Sequence, residues 1–403
     1  MADAVAQDVA KLEKAERLKQ LPAYLFVEID RAKQRLKQQG KDVIDLGVGD
    51  PDLPTPARIV KKLQAAAEDP ANHRYSFTEG LLPLRQTIAE WYQRRFGVTL
   101  DPATEVLPLL GSKEGLAHLP LAWVNPGDAA LVPDPCYPPY RSGTVFAGGE
   151  IVSMPLEAEH QFLPDLGAIS QRAARRAKLM FLNYPNNPTA AVATAEFFQE
   201  AIELAKEYQI VVAHDAAYSE IAFDGEQPLS FLQTPGAKEV GVEFHSLSKT
   251  YNMTGWRVGF ACGNAKVIAA LNQLKSHLDS GIFQPVQYAA IEALQGDQEP
   301  LRQAVAAYQQ RRDALVDGLT RAGWQVPKPS ASFYVWAPVP GPAAGGAGGR
   351  SSSEFAKRVL EEAHVVIAPG IGFGPHGEGS VRFSLTTPVE RLQEAVARLT
   401  KIL

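Results

Sequence analysis

The sequence predicts an α/β protein: a mainly parallel seven-stranded sheet sandwiched by helices, with a smaller α+β domain built from both chain ends. Three observations carry this. The apolar runs EVLPLLG, AALVPDP, EIVSMPL, KLMFLNYP, QIVVAHD, VGVEFHSLS and WRVGFACG recur between residues 105 and 263. Several are apolar at nearly every position, as strands covered on both faces must be. Helical stretches such as TAEFFQEAIELAKEYQ recur between them, the alternation that joins parallel strands.

In chain order, residues 1–20 read as a polar helix or a loose arm, and LPAYLFVEIDRAKQRLKQQG follows with Leu25, Ile29 and Leu36 at roughly helical spacing. The run at 42–56, DVIDLGVGDPDLPTP, is a short apolar strand entering a Gly/Pro turn, where Gly47 and Gly49 let a ligand approach the backbone. A plain exit from a strand is the alternative. The stretches ARIVKKLQAAAED, LLPLRQTIAEWYQRRFG and SKEGLAHLPLAWV are helical, and the alternation of helix and strand follows. After residue 264 the chain is helical through AKVIAALNQLKSHLDS, QPVQYAAIEALQG and the long EPLRQAVAAYQQRRDALVDGLTRAG, then becomes α+β again to the final PVERLQEAVARLTKIL. The long helix bridges two units. The expected division is 1–50 as an arm and part of the small domain, 51–295 as the large domain, and 296–403 as the rest of the small one. GPAAGGAGGR at 341–350 is a flexible loop by composition.

Composition excludes several classes. A chain of 403 residues with 45% hydrophobic and 21% charged residues is of ordinary globular type. A net charge of −5 gives no reason to expect nucleic acid or an anionic membrane as partner. The start of the chain lacks an apolar signal core, and no apolar run approaches the length that spans a bilayer. Cys136 and Cys262 have no metal-ligand spacing, so no metal site is expected, and a reducing, cytoplasmic setting is the simple reading.

Candidate functional residues fall where the strands end. SLSKTYNMTGWR places Lys249 between Ser246 and Ser248 and the following Thr250, with Arg257 eight residues on. An amine, hydroxyls and a guanidinium suit an aldehyde cofactor bearing a phosphate, although a solvated lysine in a Ser/Thr loop has the same composition. Ser112 and Lys113 open a helix after a strand, a geometry that suits phosphate or merely an N-cap. Tyr137 is placed to stack on a flat ring or on Pro135 and Pro138. Asn187 is a ring-oxygen donor or a turn former. Asp215 ends a strongly apolar strand, where a buried carboxylate needs a cation or donors and a protonated pyridine nitrogen would serve, or it is a helix N-cap or turn former. Tyr218 is within reach of the same ring. Arg382 in SVRFSL is a carboxylate clamp or a surface ion pair.

In order and spacing these pieces resemble the pyridoxal-phosphate-dependent aminotransferases of fold type I, class I/II. The resemblance runs from about residue 22 to the end, through HRYSFTEGLLPLR, GSKEG, PDPCYPPY, NNPT, DAAY, SLSKTYNMTGWRVG and VRFSL. AYLFVEID, LGVGDPDLPTP and APGIGFGPHGEGSVRFSLT are most similar to the LL-diaminopimelate aminotransferase-like branch. The resemblance implies pyridoxal 5'-phosphate as cofactor and amino transfer from an L-amino acid to a 2-oxo acid, with glutamate and 2-oxoglutarate as one pair. It implies that Lys249 bonds the cofactor and moves the proton, that Asp215 keeps the pyridine nitrogen protonated, and that Asn187 and Tyr218 hold the ring oxygen. Tyr137 would stack on the ring. Ser112, Lys113, Ser246, Ser248 and Arg257 would hold the phosphate. Tyr75 would reach the neighbouring subunit's cofactor, so the sites are shared in a homodimer. Tyr24, Gly49, Lys113, Tyr137, Asn187, Gln284 and Arg382 would contact substrate.

Three departures stand out. Gln284 replaces an Asn common in the branch, NNPTA replaces NNPTG, and SHLDSGIFQPVQYAA lacks the Arg that aspartate-specific relatives carry there. Alanine, glutamate or broad-range donors stay open, as does a C–S lyase on the same fold. A regulator's sensor domain is disfavoured, because no basic recognition helix precedes the resemblance.

Overall fold

The computed structural model describes residues 13–21, 25–341 and 351–403. The large sheet contains β2 (Val106–Leu109), β3 (Ala129–Asp134), β4 (Glu150–Pro155), β5 (Ala177–Asn183), β6 (Val211–Asp215), β7 (Gly241–Ser246) and β8 (Gly259–Gly263), after a two-residue β1 (Ile44–Asp45). Its spatial order is β2-β8-β7-β6-β5-β3-β4. The pairs from β4 through β7 are parallel, and β8 runs antiparallel to both its neighbours. The expected seven strands and mainly parallel sheet are both present.

Burial on both faces explains why the strands read as continuous apolar runs. Leu131, Met180, Leu182 and Val212 point into one core with the Leu82–Phe96 and Ala195–Tyr208 helices. Their neighbours Ala130, Val132, Leu179, Phe181 and Ala213 point into the opposite core with Leu116 and Leu119, as the two-residue side-chain period of a strand requires. The helix Ala195–Tyr208 shows the local logic. The Thr194 hydroxyl accepts the Phe197 N–H at 3.2 Å, the face of Phe198, Ala201, Ile202 and Ala205 is buried, and Gln209 ends the helix in a left-handed conformation.

The smaller unit is built around β9 (Tyr334–Pro338), β10 (Val365–Val366), β11 (Ala368–Pro369) and β12 (Ser380–Ser384). β11, β12 and β9 form an antiparallel sheet, while β10 pairs in parallel with β1. The β1–β10 pair is one of the links that join the two ends of the chain, with the Ser384 N–H on the Leu46 carbonyl another. The long helix Glu299–Arg321 buries Tyr308, Leu315, Val316 and Leu319 into this unit's core.

Two details go beyond the sequence reading. SSSEFAKRVLEEAH is α-helical only over Ser352–Arg358 and continues as a π-turn through Val359–Ala363. A further helix, Pro139–Phe146, lies in a Pro-containing stretch where no element is expected from the sequence. Proline at its start is compatible with helix, since that N–H needs no partner. Gly143 lets it lie close to the Ser112–Trp123 helix, because a Cβ there would stand 2.7 Å from the Ala117 carbonyl oxygen. Of the polar start, the described part forms the short helix Glu16–Lys19; residues 1–12, Tyr24 and most of the Gly-rich tract (342–350) lie outside the described residues. Among the described residues no helix is long and apolar enough to cross a membrane.

Candidate active site

Parallel strands bring their carboxyl ends to one edge, where ligands of open α/β sheets bind. Asn183 ends β5, Asp215 ends β6 and Ser246 ends β7, with Asn183 opposite Asp215. Because β8 is antiparallel, its first residue Gly259 lies opposite both Ser246 and Leu109. That register carries Arg257 and the start of the Ser112–Trp123 helix to the same edge.

A cavity of about 300 Å³ opens there, lined in part by Gly49, Tyr137, Asn187, Tyr218, Lys249 and Arg382, with Tyr334 and Phe373. The Lys249 Nζ donates to the Gly49 carbonyl oxygen at 2.9 Å. Burial pulls the Lys249 ammonium below its ordinary pKa, which makes a neutral, nucleophilic amine more accessible. Gly49 admits no larger residue: a Cβ would stand 1.9 Å from the Tyr334 hydroxyl.

Arg382, on β12 of the smaller unit, reaches across to the large one. Its guanidinium donates to Asn187 Oδ1 at 2.7 Å and to the Gly47 carbonyl at 2.8 Å. It also lies 4.0 Å from the centre of the Tyr334 ring and 4.6 Å from that of Phe373. Hydrogen bonding and ring stacking together fix a planar cation suited to a carboxylate.

Asp215 is 3% exposed. Burial raises its pKa, opposed by the Tyr140 hydroxyl, which donates to Oδ2 at 2.7 Å, and by the Ala217 N–H on Oδ1 at 3.2 Å. Tyr140 stacks on Phe181 at 4.8 Å. It was not singled out from the sequence; the available signal was a second Tyr three residues after Tyr137. Burial likewise raises the Tyr218 phenol, whose oxygen lies 3.2 Å from that of Tyr334.

Next to the cavity, hydroxyls, a helix start and a guanidinium gather at the same edge, a donor set that could hold an anion. Ser112, Ser246 and Ser248 are buried, and the exposed Arg257 has a left-handed backbone, φ 55°. Its guanidinium donates to Thr254 and Leu110 carbonyls at 2.9 and 3.2 Å, which helps hold that unfavourable conformation. Gly111, at φ 83°, puts no capping side chain on the helix start. A Cβ on Gly111 would approach an Arg257 nitrogen to 2.5 Å, and one on Gly259 would come 2.8 Å from the Ser112 nitrogen. Lys113 is exposed at the same helix start.

Tyr75 and Gln284 do not line the Lys249 cavity. They stand together elsewhere, with Gln284 Nε2 near the Arg74 carbonyl at 3.5 Å. Tyr75 and Phe77 are 87% and 88% exposed. Below the sheet edge the sequence reading also missed Glu243, fully buried in β7. It accepts hydrogen bonds from Tyr92, Ser230 and the Phe231 N–H, and pairs with His214 and His245.

The strand-end lysine, the buried carboxylate one strand away and the arginine of a second unit define an enzyme of fold type I. Comparison with known proteins narrows this. The family model "Aminotransferase class I and II" matches residues 41–399, and the chain belongs to that family. It is 56% identical to an LL-diaminopimelate aminotransferase of Moorella thermoacetica, covering 97% of this chain and 99% of that protein. It is 57% identical to one of Syntrophobacter fumaroxidans, covering 96% and 98%. Among solved structures, substrate-bound BacF of Bacillus subtilis superposes with a TM-score of 0.92 at 41% identity, covering 97% of this chain and 98% of that one. A probable N-succinyldiaminopimelate aminotransferase of Thermus thermophilus gives 0.87 at 39%, covering 94% and 100%. The protein is a transaminase, and its family implies pyridoxal phosphate.

Proposed function

We propose that the chain moves the amino group of LL-diaminopimelate to 2-oxoglutarate, using pyridoxal phosphate. The observation that carries this is the convergence of Lys249, Arg382, Asn187 and Tyr218 on one cavity, in a chain whose relatives of that name are more than half identical over nearly its full length.

The donor set suits the cofactor. Asp215 is a buried anion at the strand edge, and a protonated ring nitrogen would offset the cost of its burial. Tyr137 offers a face for the ring, and Asn187 and Tyr218 offer donors for its oxygen. Ser112, Ser246, Ser248, Arg257 and the N–H groups at Lys113 offer donors for a phosphate, and Gly111 lets the Arg257 guanidinium come close to the helix start. When bound, pyridoxal phosphate supplies an aldehyde carbon and an electron-withdrawing ring. Lys249 would hold that carbon in the resting enzyme, and its Nζ, freed as a neutral amine when an amino substrate takes its place, would take and return the substrate's α-proton. Arg382 grips the α-carboxylate in both directions of the reaction, and the Gly49 backbone and Lys113 border the substrate.

The reading includes a homodimer in the cytoplasm. Tyr75, Phe77 and Phe283 are exposed on segments that meet through Gln284 and Arg74 and through Phe283 and His73, an apolar surface that a second copy would cover. From that surface Tyr75 and Gln284 would reach the partner's cavity. Cys136 and Cys262 are free and buried, in keeping with a reducing compartment. The division into a large unit of 51–295 and a small one of 1–50 with 296–403 belongs to the same reading.

The test is a panel of amino donors, LL-diaminopimelate, aspartate, alanine and β-substituted alanines, against 2-oxoglutarate. LL-diaminopimelate is expected to give the highest kcat/KM with stoichiometric glutamate. A higher value for aspartate or alanine overturns the substrate assignment; release of pyruvate and ammonia without glutamate overturns amino transfer.

A further inference from the structure

Tyr334 does more than stack on Arg382, because several of the site's groups meet on it. It begins β9, opposite Ser384 of β12, and lines the cavity. Its ring lies at 70° to that of Tyr218 with centres 5.5 Å apart, and the two hydroxyls are 3.2 Å apart. The Arg382 guanidinium rests 4.0 Å from its centre. Phe333 packs on it at 4.9 Å and 67°. The glycine at 49 leaves room for its hydroxyl.

The titratable groups around it come from four elements. Tyr218 lies in the turn after β6, Lys249 in the turn after β7, Arg382 on β12, and Tyr308 on the Glu299–Arg321 helix. Asp50 acts on Lys249 from the loop that carries Gly49, and Asp215 acts on Tyr218.

A phenol has one proton. If Tyr218 donates it to a ligand oxygen, the 3.2 Å contact between the two hydroxyls must be donated by Tyr334, whose hydroxyl is in place to do so. The same ring forms a platform under Arg382. We propose that Tyr334 is a positioning residue that couples the two halves of the site: its hydroxyl turns the Tyr218 proton toward the cofactor's ring oxygen, and its ring orients Arg382 for the substrate carboxylate. This rests on the roles given to Tyr218 and Arg382 above.

The two functions separate in two variants of the holoenzyme. Tyr334→Phe keeps the platform and removes the donor. The ring-oxygen anion is then held less well, so the pH midpoint of the cofactor's visible absorbance should rise by about half to one unit, the worth of one hydrogen bond. KM for amino and oxo acids should change less than about twofold, because the platform is intact. Tyr334→Leu removes both and should raise KM for both substrates by roughly tenfold, as loss of a desolvated cation–π contact does. An unchanged midpoint in Tyr334→Phe overturns the proposal, as does a KM increase in that variant equal to the one in Tyr334→Leu. If the parent enzyme itself shows no pH-dependent cofactor band, the underlying reading fails and the proposal falls with it, a result distinct from the other two.

Discussion

The Tyr140 hydroxyl donates a 2.7 Å hydrogen bond to Oδ2 of Asp215, and both side chains are almost wholly buried. The contact connects the Pro139–Phe146 helix to the end of β6. Burial drives the Asp215 carboxyl upward, and Tyr140 is the largest of the contacts that oppose it.

Removing that donor should loosen the cofactor. In Tyr140→Phe the Asp215 pKa rises further, because the force lowering it is lost while burial remains. The anion that would face the ring nitrogen becomes less populated as pH falls. Equilibrium dialysis of pyridoxal phosphate is expected to show affinity reduced by about tenfold to a hundredfold, the value of one hydrogen bond to a charged group. The deficit should grow toward acid pH. Unchanged affinity across the range would mean that Tyr140 only fills space.

Lys249→Ala should leave the fold intact, since the Lys249 amine donates to the Gly49 carbonyl at the cavity wall and not into a core. The variant should still bind pyridoxal phosphate through the phosphate donors but without the covalent bond. Reduction with borohydride followed by mass measurement is therefore expected to add cofactor mass to the parent chain and none to the variant. Turnover should fall to background. Normal turnover would assign the amine to another lysine.

Much of this arrangement is legible in the sequence because it depends on strand order. The apolar runs place Asp215 and Ser246 at strand ends, and the parallel pairing of β6 with β7 then brings those ends together. Residues whose role depends on tertiary pairing are not legible in this way. Tyr140 sits in PPYR, where no element is expected until the helix it opens packs against its neighbour. Tyr334 sits in FYVW, an ordinary buried strand by pattern, and only the register of β9 on β12 puts its ring beneath Arg382. Glu243 gave a clearer sign: a carboxylate inside an otherwise apolar strand requires partners, and His245 lies two residues away.

Glu243 should matter for stability and little for substrate binding. It is wholly buried and touches five donors, among them two histidines. Burial alone would raise its carboxyl pKa, but the hydrogen bonds from His214 and His245 outweigh burial and hold it well below the ordinary 4.5. A depressed folded pKa means the contribution is complete above that ordinary value and is lost as pH falls through the folded one. Glu243→Ala strands its partners in the core and should cost about 3–5 kcal/mol. Thermal melting at neutral pH is expected to drop by several degrees. The gap between parent and variant should narrow in acid; a constant gap would remove the charge from the explanation.

Arg382→Ala isolates the carboxylate clamp. The guanidinium is held by Asn187, the Gly47 carbonyl and two aromatic faces, so its orientation is fixed before substrate arrives. A fixed cation that binds a carboxylate bidentately contributes roughly 2–3 kcal/mol in such a setting, or about thirtyfold to more than a hundredfold in affinity. Both the amino acid and the oxo acid present the same α-carboxylate, so KM should rise for both by similar factors. Arg382→Lys should recover little, because an ammonium reproduces neither the fork nor the stacking on Tyr334. Steady-state kinetics in both directions read this out. A rise confined to one substrate would place the shared carboxylate on a different residue, and full recovery by lysine would reduce the role of Arg382 to charge alone.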